Sequence, residues 1–331
     1  MTATLPGLVL RLTTGVADVP ELLRVSTASN EADGVDERTS DAALVNWLTH
    51  PTPAFDPARD VVVAEVAGEV VGYGWTFWID TNDGTSRDYI TRGYVHPAWR
   101  RRGVGSAILE HNEARLREVA GSQETERRRL LGAHADERRP GAVALVAAHG
   151  YQPVRYFFNM VRPTLDEVEV PPLPDGLEQR PVSDWAGYRR LFDADVEAFQ
   201  DHWGGFDASE EAFQEWLDYP EFDPSLFVIA WEGDEIAGAV ANAIYENENQ
   251  LLNRKRGLLE SVFVRRPWRR RGLASALVAR SLVLLRERGM TSAWLGVDAD
   301  NPTGALGVYE RAGFAVHSRA RAYRKPMETT R

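Results

Sequence analysis

Residues 258–275 begin with an apolar run, Leu258-Leu259-Glu260-Ser261-Val262-Phe263-Val264, and end with Arg269-Arg270-Arg271-Gly272-Leu273-Ala274-Ser275. The apolar run predicts a buried β-strand, and Ser275 to Arg288 predict a helix that Gly289 ends. A glycine turn between a strand and a helix favours an anion, because the first amides of a helix lack internal partners and the helix dipole is positive there. Gly272 has no Cβ, so a phosphate can approach its backbone closely.

A second predicted strand, residues 292–297, and a short helix carrying Tyr309 follow this segment. Arg269-x-x-Gly272-x-Ala274 resembles the [Q/R]-x-x-G-x-[G/A] signature of the GNAT superfamily of N-acetyltransferases. Residues 301–314, with Asn301-Pro302, Tyr309 and Gly313-Phe314, resemble the closing helix of that family. A dinucleotide-binding fingerprint fits less well, because position 277 is leucine and no acidic residue ends a following strand at the expected distance.

The same pattern occurs twice along the chain. Gly103 lies 169 residues before Gly272, and Gly7, at the start of the first predicted strand, lies 169 residues before Gly176. Self-similarity of this length predicts two copies of one domain. We predict an N-terminal domain at residues 1–162, a stiff proline-rich linker at 163–176 and a C-terminal domain at 177–331.

The resemblance implies an α/β (α+β) fold of two tandem GNAT domains, each a mixed, mostly antiparallel sheet flanked by helices. It also implies acetyl-CoA as co-substrate, with its diphosphate on the backbone amides of the glycine turn and its pantetheine arm between the fourth and fifth strands, which separate. The expected cofactor contacts are Val262, Phe263, Val264, Arg269, Arg270, Arg271, Gly272, Leu273, Ala274, Ser275 and Asn301 in the second copy, and Val95, Arg100, Arg101, Arg102, Gly103, Val104 and Gly105 in the first.

Amide formation from a thioester needs a group that takes a proton from the amine and one that protonates the departing thiolate. The resemblance assigns the acid to Tyr309, and Glu260 is our candidate base. Strand alternation predicts that Glu260 shares a face with Leu258 and Val262. Two structural interpretations stay open: Tyr309 as a ring that covers the core, and Glu260 as the partner of a nearby arginine.

The two copies differ where the chemistry is expected. Thr91 and Arg92 stand where the second copy has Glu260 and Ser261, and Val146 stands where it has Tyr309. Both copies keep the phosphate-binding turn, but only the second keeps a titratable pair. We therefore expect the second copy to be catalytic and the first to be catalytically degenerate.

The loop at residues 199–206 is the candidate acceptor site of the second copy. Asp201, His202 and Trp203 are predicted to bind a cationic acceptor through charge and cation–π contact. The alternative is an apolar loop beneath the sheet. Residues 27–36 of the first copy are polar and lack aromatic side chains, which argues against a matching pocket there.

Composition limits the function classes. The 331 residues carry 49 acidic against 38 basic side chains, a net charge of −11 that disfavours nucleic acid as a partner. The chain has no cysteine, which excludes disulfides and an acyl-cysteine intermediate, and its histidines show no metal-binding spacing. We find neither a membrane-spanning run nor a secretion signal, so we expect a cytoplasmic monomer or homodimer.

The leading hypothesis is an acetyl-CoA-dependent N-acetyltransferase that acts on a small-molecule primary amine by direct attack, with no metal. The alternative is a non-catalytic acyl-CoA-binding or sensing protein. Among tandem GNAT proteins, residues 297–302 and 309–314 are most similar to the closing segment of the mycothiol synthases.

Overall fold

The computed structural model describes residues 5–301 and 304–328. In chain order the strands are β1 (Leu8–Leu12), β2 (Val61–Val66), β3 (Glu69–Asp80), β4 (Ser86–Val95), β5 (Arg128–Asp136), β6 (Gln152–Arg162), β7 (Glu178–Gln179), β8 (Val228–Glu232), β9 (Glu235–Ala243), β10 (Arg256–Val264), β11 (Ser292–Asp298) and β12 (Ala315–Pro326). The helices are α1 (Val19–Asp33), α2 (Asp41–Thr49), α3 (Pro57–Asp60), α4 (Val104–Gly121), α5 (Pro140–Ala148), α6 (Trp185–Phe199), α7 (Glu210–Leu217), α8 (Glu246–Leu251), α9 (Leu273–Glu287) and α10 (Ala305–Arg311). Within the described part of the chain, no helix combines the length and the apolar character needed to cross a bilayer.

The described residues divide into two compact units. The first unit contains the described parts of residues 1–156, 209–220 and 320–331, and the second contains those of 157–208 and 221–319. Each unit therefore includes segments that lie beyond the limits of its own sequence repeat. The limits at 162 and 177 describe that repeat and stay a prediction.

The first unit is built on the sheet order β1-β2-β3-β4-β5, with residues 320–326 of β12 beside β5. Neighbouring strands are antiparallel except β4 and β5, which are parallel. Strands β2 and β3 form a hairpin, whose turn at Ala67 and Gly68 has positive φ angles of 52° and 84°. The β4–β5 pairing runs from Ser86↔Arg128 to Thr91↔Ala133, and beyond Thr91 the two strands separate.

The second unit repeats this plan with the order β7-β8-β9-β10-β11, followed by residues 157–162 of β6 beside β11. Only β10 and β11 are parallel among its described pairs. Helix α9 follows β10 and buries Leu273, Leu277 and Leu285 in a core that also contains Leu259 of β10. The predicted fold class, a mixed and mostly antiparallel sheet flanked by helices, is confirmed.

One buried ion pair anchors the terminal strand to the sheet of the first unit. Arg324 of β12 donates from Nε to Oδ2 of Asp88 on β4 at 2.7 Å, and the two side chains are only 7% and 2% exposed. The hydroxyl of Ser86 donates to the other carboxylate oxygen of Asp88 at 2.9 Å. Both oxygens of this buried carboxylate thus have a donor.

We expect Arg324→Met to lower the free energy of unfolding of the first unit by about 3–5 kcal/mol, because Asp88 is left as a buried, uncompensated charge. The matched control is Arg321→Met on the same strand, which removes a more exposed pair with Glu137 (33% and 34% exposed) and is expected to cost about 1 kcal/mol or less. Urea denaturation measures both. Equal costs would contradict the assignment of Asp88 and Arg324 as a stabilising buried pair.

Candidate active site

The turn between β10 and α9 has the geometry of an anion site. Gly272 adopts φ 86° and ψ −3°, and Arg270, two residues earlier, has φ 61°. The first backbone amide of the helix to find a carbonyl is that of Ala276, which donates to Gly272 O at 3.2 Å. No side chain caps this helix, so the amides of Leu273, Ala274 and Ser275 have no acceptor within the described residues. These amides are available to a diphosphate.

The first arginine of the turn is held by the protein. Arg269 donates from Nε to Val264 O at 2.9 Å and from Nη1 to Asp201 at 2.5 Å, and Asp201 also accepts from Arg266. The hydrogen bonds from Arg266 and then Arg269 hold the pKa of Asp201 well below its usual range. Asp201 was predicted to contact the acceptor and Arg269 the cofactor phosphates. In the structure these two side chains pair, and their opposite charges join the turn to the end of α6, while both predicted contacts stay predictions.

Arg270 and Arg271, the other two arginines of the run, are held less firmly by the protein than Arg269, which suits the predicted contact with cofactor phosphates. Arg271 donates to Asp175 O at 3.1 Å and lies 3.8 Å from Glu232. Arg270 is exposed and makes no ion pair within the part of the chain that the structure describes. A phosphate contact by Arg270 therefore stays a prediction that requires no existing ion pair to break.

Strands β10 and β11 form a fork, and one residue of β10 bulges at it. The parallel pairing ends at Leu258↔Trp294, so beyond Leu258 the edge of β10 that faced β11 is unpaired. On the other edge, Leu259 pairs with Asn242 and Ser261 with Ala241, which leaves Glu260 as an extra residue in a β-bulge. The backbone from Val262 to Val264, expected to contact the cofactor, lies along this unpaired edge.

The bulge corrects the expected direction of the side chains. Strict alternation, which placed Glu260 with both Leu258 and Val262, is wrong, because the extra residue changes the face of everything that follows. Val262 packs against the core that contains Leu259, whereas Ser261 faces α6. An apolar sequence alone gives no sign of this change, since the bulge depends on the register with β9.

Two carboxyl groups flank the bulge. Tyr245 donates its hydroxyl to Glu260 Oε1 at 3.1 Å, and Ser261 Oγ donates to Asp195 Oδ1 of α6 at 2.8 Å. Burial raises the pKa of Asp195 to about 7; the charge of Glu260 acts in the same direction and the bond from Ser261 opposes it. Glu260 reaches solvent, yet the protein surrounds its carboxyl closely enough to raise its pKa, with Glu221 adding to the effect and Tyr245 opposing it.

Asp195 was not predicted from the sequence. A signal was present, because Asp195 lies four residues after Leu191 and three before Ala198, both buried, and so shares their face of α6. Burial on such a face of an amphipathic helix raises the pKa of a carboxyl group, because it disfavours the charged form. The fold brings it to Ser261, 66 residues further along the chain.

Tyr309 lies on α10 with its ring in the core of the second unit, edge-on to Phe314 at a centroid distance of 6.1 Å. The side chain is 6% exposed, and its hydroxyl makes no hydrogen bond to the described residues. That oxygen is not among the buried polar atoms without a partner, so it retains contact with solvent. Burial raises the pKa of Tyr309, which keeps the phenol protonated. The ring thus fills the core and still leaves a neutral donor at its tip.

Known protein families and curated proteins are similar to this chain over both copies. The Acetyltransferase (GNAT) family matches residues 188–314, and the Acetyltransferase (GNAT) domain matches residues 57–153. A mycothiol acetyltransferase of Geodermatophilus obscurus is 32% identical over 309 residues, which cover 92% of both chains. This chain belongs to the GNAT acetyltransferase family. The tandem arrangement and the likeness to the mycothiol enzymes, both predicted above, are confirmed.

Further relatives agree with this assignment. A mycothiol acetyltransferase of Salinispora tropica is 29% identical over 304 residues, covering 91% of this chain and 90% of that one. The crystal structure of a GCN5-related N-acetyltransferase from Sphaerobacter thermophilus superposes with a TM-score of 0.73 at 26% identity, covering 98% and 97% of the two chains. A tandem GNAT protein from the clavulanic acid biosynthesis pathway has the same fold, with a TM-score of 0.70 at 18% identity over 98% and 100%. GNAT acetyltransferases use acetyl-CoA.

The first GNAT copy keeps the turn. Gly103 has φ 87° and Arg101 has φ 61°, and Ala107 is the first amide of α4 to bond back, to Gly103 O at 3.0 Å. Arg100 repeats the interactions of Arg269, with Nε to Val95 O at 3.4 Å and Nη1 to Asp33 at 2.7 Å. Arg100, like Arg269, is therefore held by the protein, and the predicted contacts of these two arginines with cofactor phosphates stay predictions.

The remaining predicted cofactor contacts belong to both copies. In the second copy the backbone N–H of Asn301 donates to Asp298 O at 3.2 Å in the turn after β11, and the adjacent Pro302 of the motif lies outside the described residues. In the first copy Arg102 stacks over Trp99 at 5.1 Å. Contacts of Val104 and Gly105 with a cofactor stay predictions, as does that of Val95.

The loop after α6 is aromatic and packed. His202 stacks on Phe199 with ring centroids 4.3 Å apart, and burial lowers its pKa, although Asp298 opposes this. Trp203 lies 5.9 Å from Phe157. These contacts fit the apolar interpretation of the loop, and acceptor binding by His202 and Trp203 stays a prediction. Within residues 5–301 and 304–328, no group of three acidic or histidine side chains is placed to hold a metal ion.

We expect Asp195→Asn to stabilise the GNAT protein increasingly as pH rises from 5 to 8. The pKa of Asp195 is about 7 in the folded protein and about 4 in an unfolded chain, so between these values the folded state holds a proton that the unfolded chain has released. Stability from this group therefore falls as pH rises, and asparagine removes the fall while keeping an acceptor for Ser261.

The melting temperature of each variant, measured across this pH range, tests the expectation. Asp193→Asn is the control, because Asp193 is 55% exposed on the same helix and pairs with Arg189. A difference between Asp195→Asn and the unsubstituted protein that is the same at pH 5 and pH 8 would show that Asp195 does not titrate in this window.

Proposed function

We propose that this chain is an acetyl-CoA-dependent N-acetyltransferase that acetylates a small-molecule primary amine in its second copy, by direct attack within a ternary complex. The observation that supports this most is the bulge in strand β10, which places Glu260 and Ser261 beside the fork. The turn that follows β10 in the chain has uncapped backbone amides that can bind a diphosphate. The relatives named mycothiol acetyltransferase support acetyl transfer, and the similar structure named a GCN5-related N-acetyltransferase supports nitrogen as the acceptor atom.

The carboxyl groups at the fork suit an ammonium substrate. Burial and then the charge of Glu260 raise the pKa of Asp195, and burial and the charge of Glu221 raise that of Glu260, so Glu260 lies near both of the other carboxyl groups and can act with them on a positive charge. An amine with a pKa near 10 arrives protonated, and a carboxylate must first attract and then deprotonate it. A base with a raised pKa is closer to the working pH, which favours the transfer.

Glu260 is our candidate for that base, and Asp195 is its neighbour. Two neighbouring carboxyl groups repel each other when both are ionised, so they do not lose their protons together. One holds a proton while the other is free to accept one. The Tyr245 hydroxyl orients Glu260, and Ser261 fixes Asp195. The amine nitrogen forms its bond to the acetyl carbon as the bond from that carbon to the CoA sulfur breaks.

Tyr309 is the proposed acid. A phenol whose pKa is raised by burial stays protonated and has a proton to give to a thiolate as it leaves. The corresponding Val146 of the first copy is buried in α5 and has no proton to donate. This difference supports assigning the chemistry to the second copy.

The competing function is acyl-CoA binding or sensing without transfer, which the intact turns of both copies favour. Assay of free thiol release from acetyl-CoA over a panel of small amines separates the two. A cytoplasmic location and a monomeric or homodimeric state remain predictions.

We expect Tyr309→Phe to lower kcat for amine acetylation by about 100-fold or more, since the ring packing is kept and only the proton donor is lost. Binding of acetyl-CoA should be unchanged by calorimetry. The control is Tyr323→Phe, which removes the hydroxyl of another buried tyrosine that lies in the first unit. If both variants had the same kcat, Tyr309 would not be the acid.

A second pair of variants compares the two turns. Gly272 and Gly103 have φ 86° and 87°, and an added Cβ meets no atom within 4 Å at either, so glutamate strains both backbones alike. Gly272→Glu should lower kcat/KM for acetyl-CoA about tenfold or more, because its carboxylate opposes the diphosphate. Gly103→Glu should retain most of the turnover at saturating acceptor. Equal losses would mean that the first copy also supports catalysis.

A further inference from the structure

We infer that the first copy binds a CoA ester whose acyl group ends in a carboxylate, such as a malonyl or succinyl group, and holds it without transferring it. This site is separate from the amine acetylation proposed for the second copy. It rests on the GNAT fold of the first unit and on a guanidinium group, Arg92, at its fork.

The first copy can hold the nucleotide end of such an ester. Its turn has the backbone conformation of the second, with Gly103 at φ 87° and Arg101 at φ 61°. The amides of Val104, Gly105 and Ser106 have no protein acceptor in the described part of the chain, since Ala107 is the first to bond back. A diphosphate at this turn directs the acyl end towards the fork of β4 and β5.

At that fork the first copy has a different backbone. Register between β3 and β4 is continuous, with Thr76 opposite Thr91 and Trp75 opposite Arg92, so no residue bulges where Glu260 does in the second copy. Arg92 is the first residue of β4 beyond the last β4–β5 pair, Thr91↔Ala133. It is exposed, and its side chain forms no hydrogen bond or ion pair with the described residues.

The acidic groups of the second fork are also absent from the first. Arg269 and Arg100 donate to the carbonyls of Ala198 and Ser29, which aligns Asp195 with Ser26. Ser26 is buried and donates to Leu22 O at 2.9 Å. Serine and threonine thus replace both carboxyls, and arginine replaces Ser261.

The groups around Arg92 leave this charge largely uncompensated. Arg92 reaches solvent, yet the protein surrounds its guanidinium closely enough for desolvation, together with the positive charges of Arg324 and Arg139, to lower its pKa, while Tyr94 and the carboxylate of Glu37 act in the opposite direction. Arg324 is neutralised by Asp88 at 2.7 Å.

Arg139 adds to the positive character of this fork, and His134 is kept neutral there. The Arg139 side chain stacks over the Tyr94 ring at 5.0 Å and donates from Nη2 to the side-chain amide oxygen of Asn30. His134 of β5, next to Ala133, has its pKa lowered by burial and by Arg92 and Arg324. The fork therefore favours an anion.

A carboxylate is the anion that suits this place. The ester's phosphates are engaged at the turn, so the group that reaches Arg92 belongs to the acyl chain. A guanidinium presents its donors in a planar fork that matches a carboxylate with two parallel hydrogen bonds. An acetyl group has no charge to offer it. Transfer does not follow, because the position of the phenol acid is occupied by Val146.

Calorimetric titration of the full chain with succinyl-CoA and with acetyl-CoA tests the inference. The unsubstituted protein should show a site with about tenfold or greater preference for succinyl-CoA, as expected for a charge-assisted pair. Gly103→Glu should remove that site, whereas Gly272→Glu should leave it.

Arg92→Gln should reduce the ratio of succinyl-CoA to acetyl-CoA affinity at that site to near one, and Arg92→Lys should give an intermediate ratio. Because the ratio is taken within one variant, a change in the amount of folded protein does not affect it. The inference is overturned if the unsubstituted protein binds both esters equally, if Gly272→Glu and not Gly103→Glu removes the preference, or if Arg92→Gln preserves it. None of these outcomes depends on whether the second copy acetylates an amine.

Discussion

A single extra residue in β10 determines what the second fork presents to a substrate. Because β9 has no partner for Glu260, the strand bulges, and the residues on either side turn to opposite faces. Leu259 enters the core while Ser261 turns to Asp195 on α6. Without the bulge, the same sequence would direct Ser261 into the core and separate it from Asp195. The site therefore depends on strand register as much as on residue identity.

The two copies use the same scaffold for opposite charges. In both copies the glycine of the turn has a positive φ angle. In both, an arginine of the turn pairs with a carboxylate at the end of a helix that comes earlier in the chain: Asp201 just after α6 in the second copy, and Asp33 of α1 in the first. These features support the backbone and have persisted in each copy. The side chains at the fork do not support the backbone, and there the second copy has two carboxyls where the first has Arg92. Affinity for a nucleotide and chemistry at the fork can thus vary independently.

Much of the fold followed from local sequence patterns. The glycine turns and the 169-residue repeat are features of short segments or of the chain compared with itself, and they appear as expected. What the sequence did not reveal depends on segments that are far apart. Asp195 becomes part of the site only when α6 lies on β10, and the arginine partners of Asp201 lie more than 60 residues away. The bulge at Glu260 requires knowledge of the partner strand.

Contacts between segments that are far apart in the chain also explain why the predicted domain limits and the compact units differ. A repeat in sequence marks where similar segments recur, but a sheet is completed by whichever strand has a free edge to pair with. In the first unit the strand beside β5 is residues 320–326, from the end of the described chain, and in the second the strand beside β11 is residues 157–162. Arg324 on the former is buried against Asp88, so this strand brings a charge that the first sheet needs. The extent of each compact unit is therefore set by which strand completes its sheet, and a repeat in the sequence does not record that pairing.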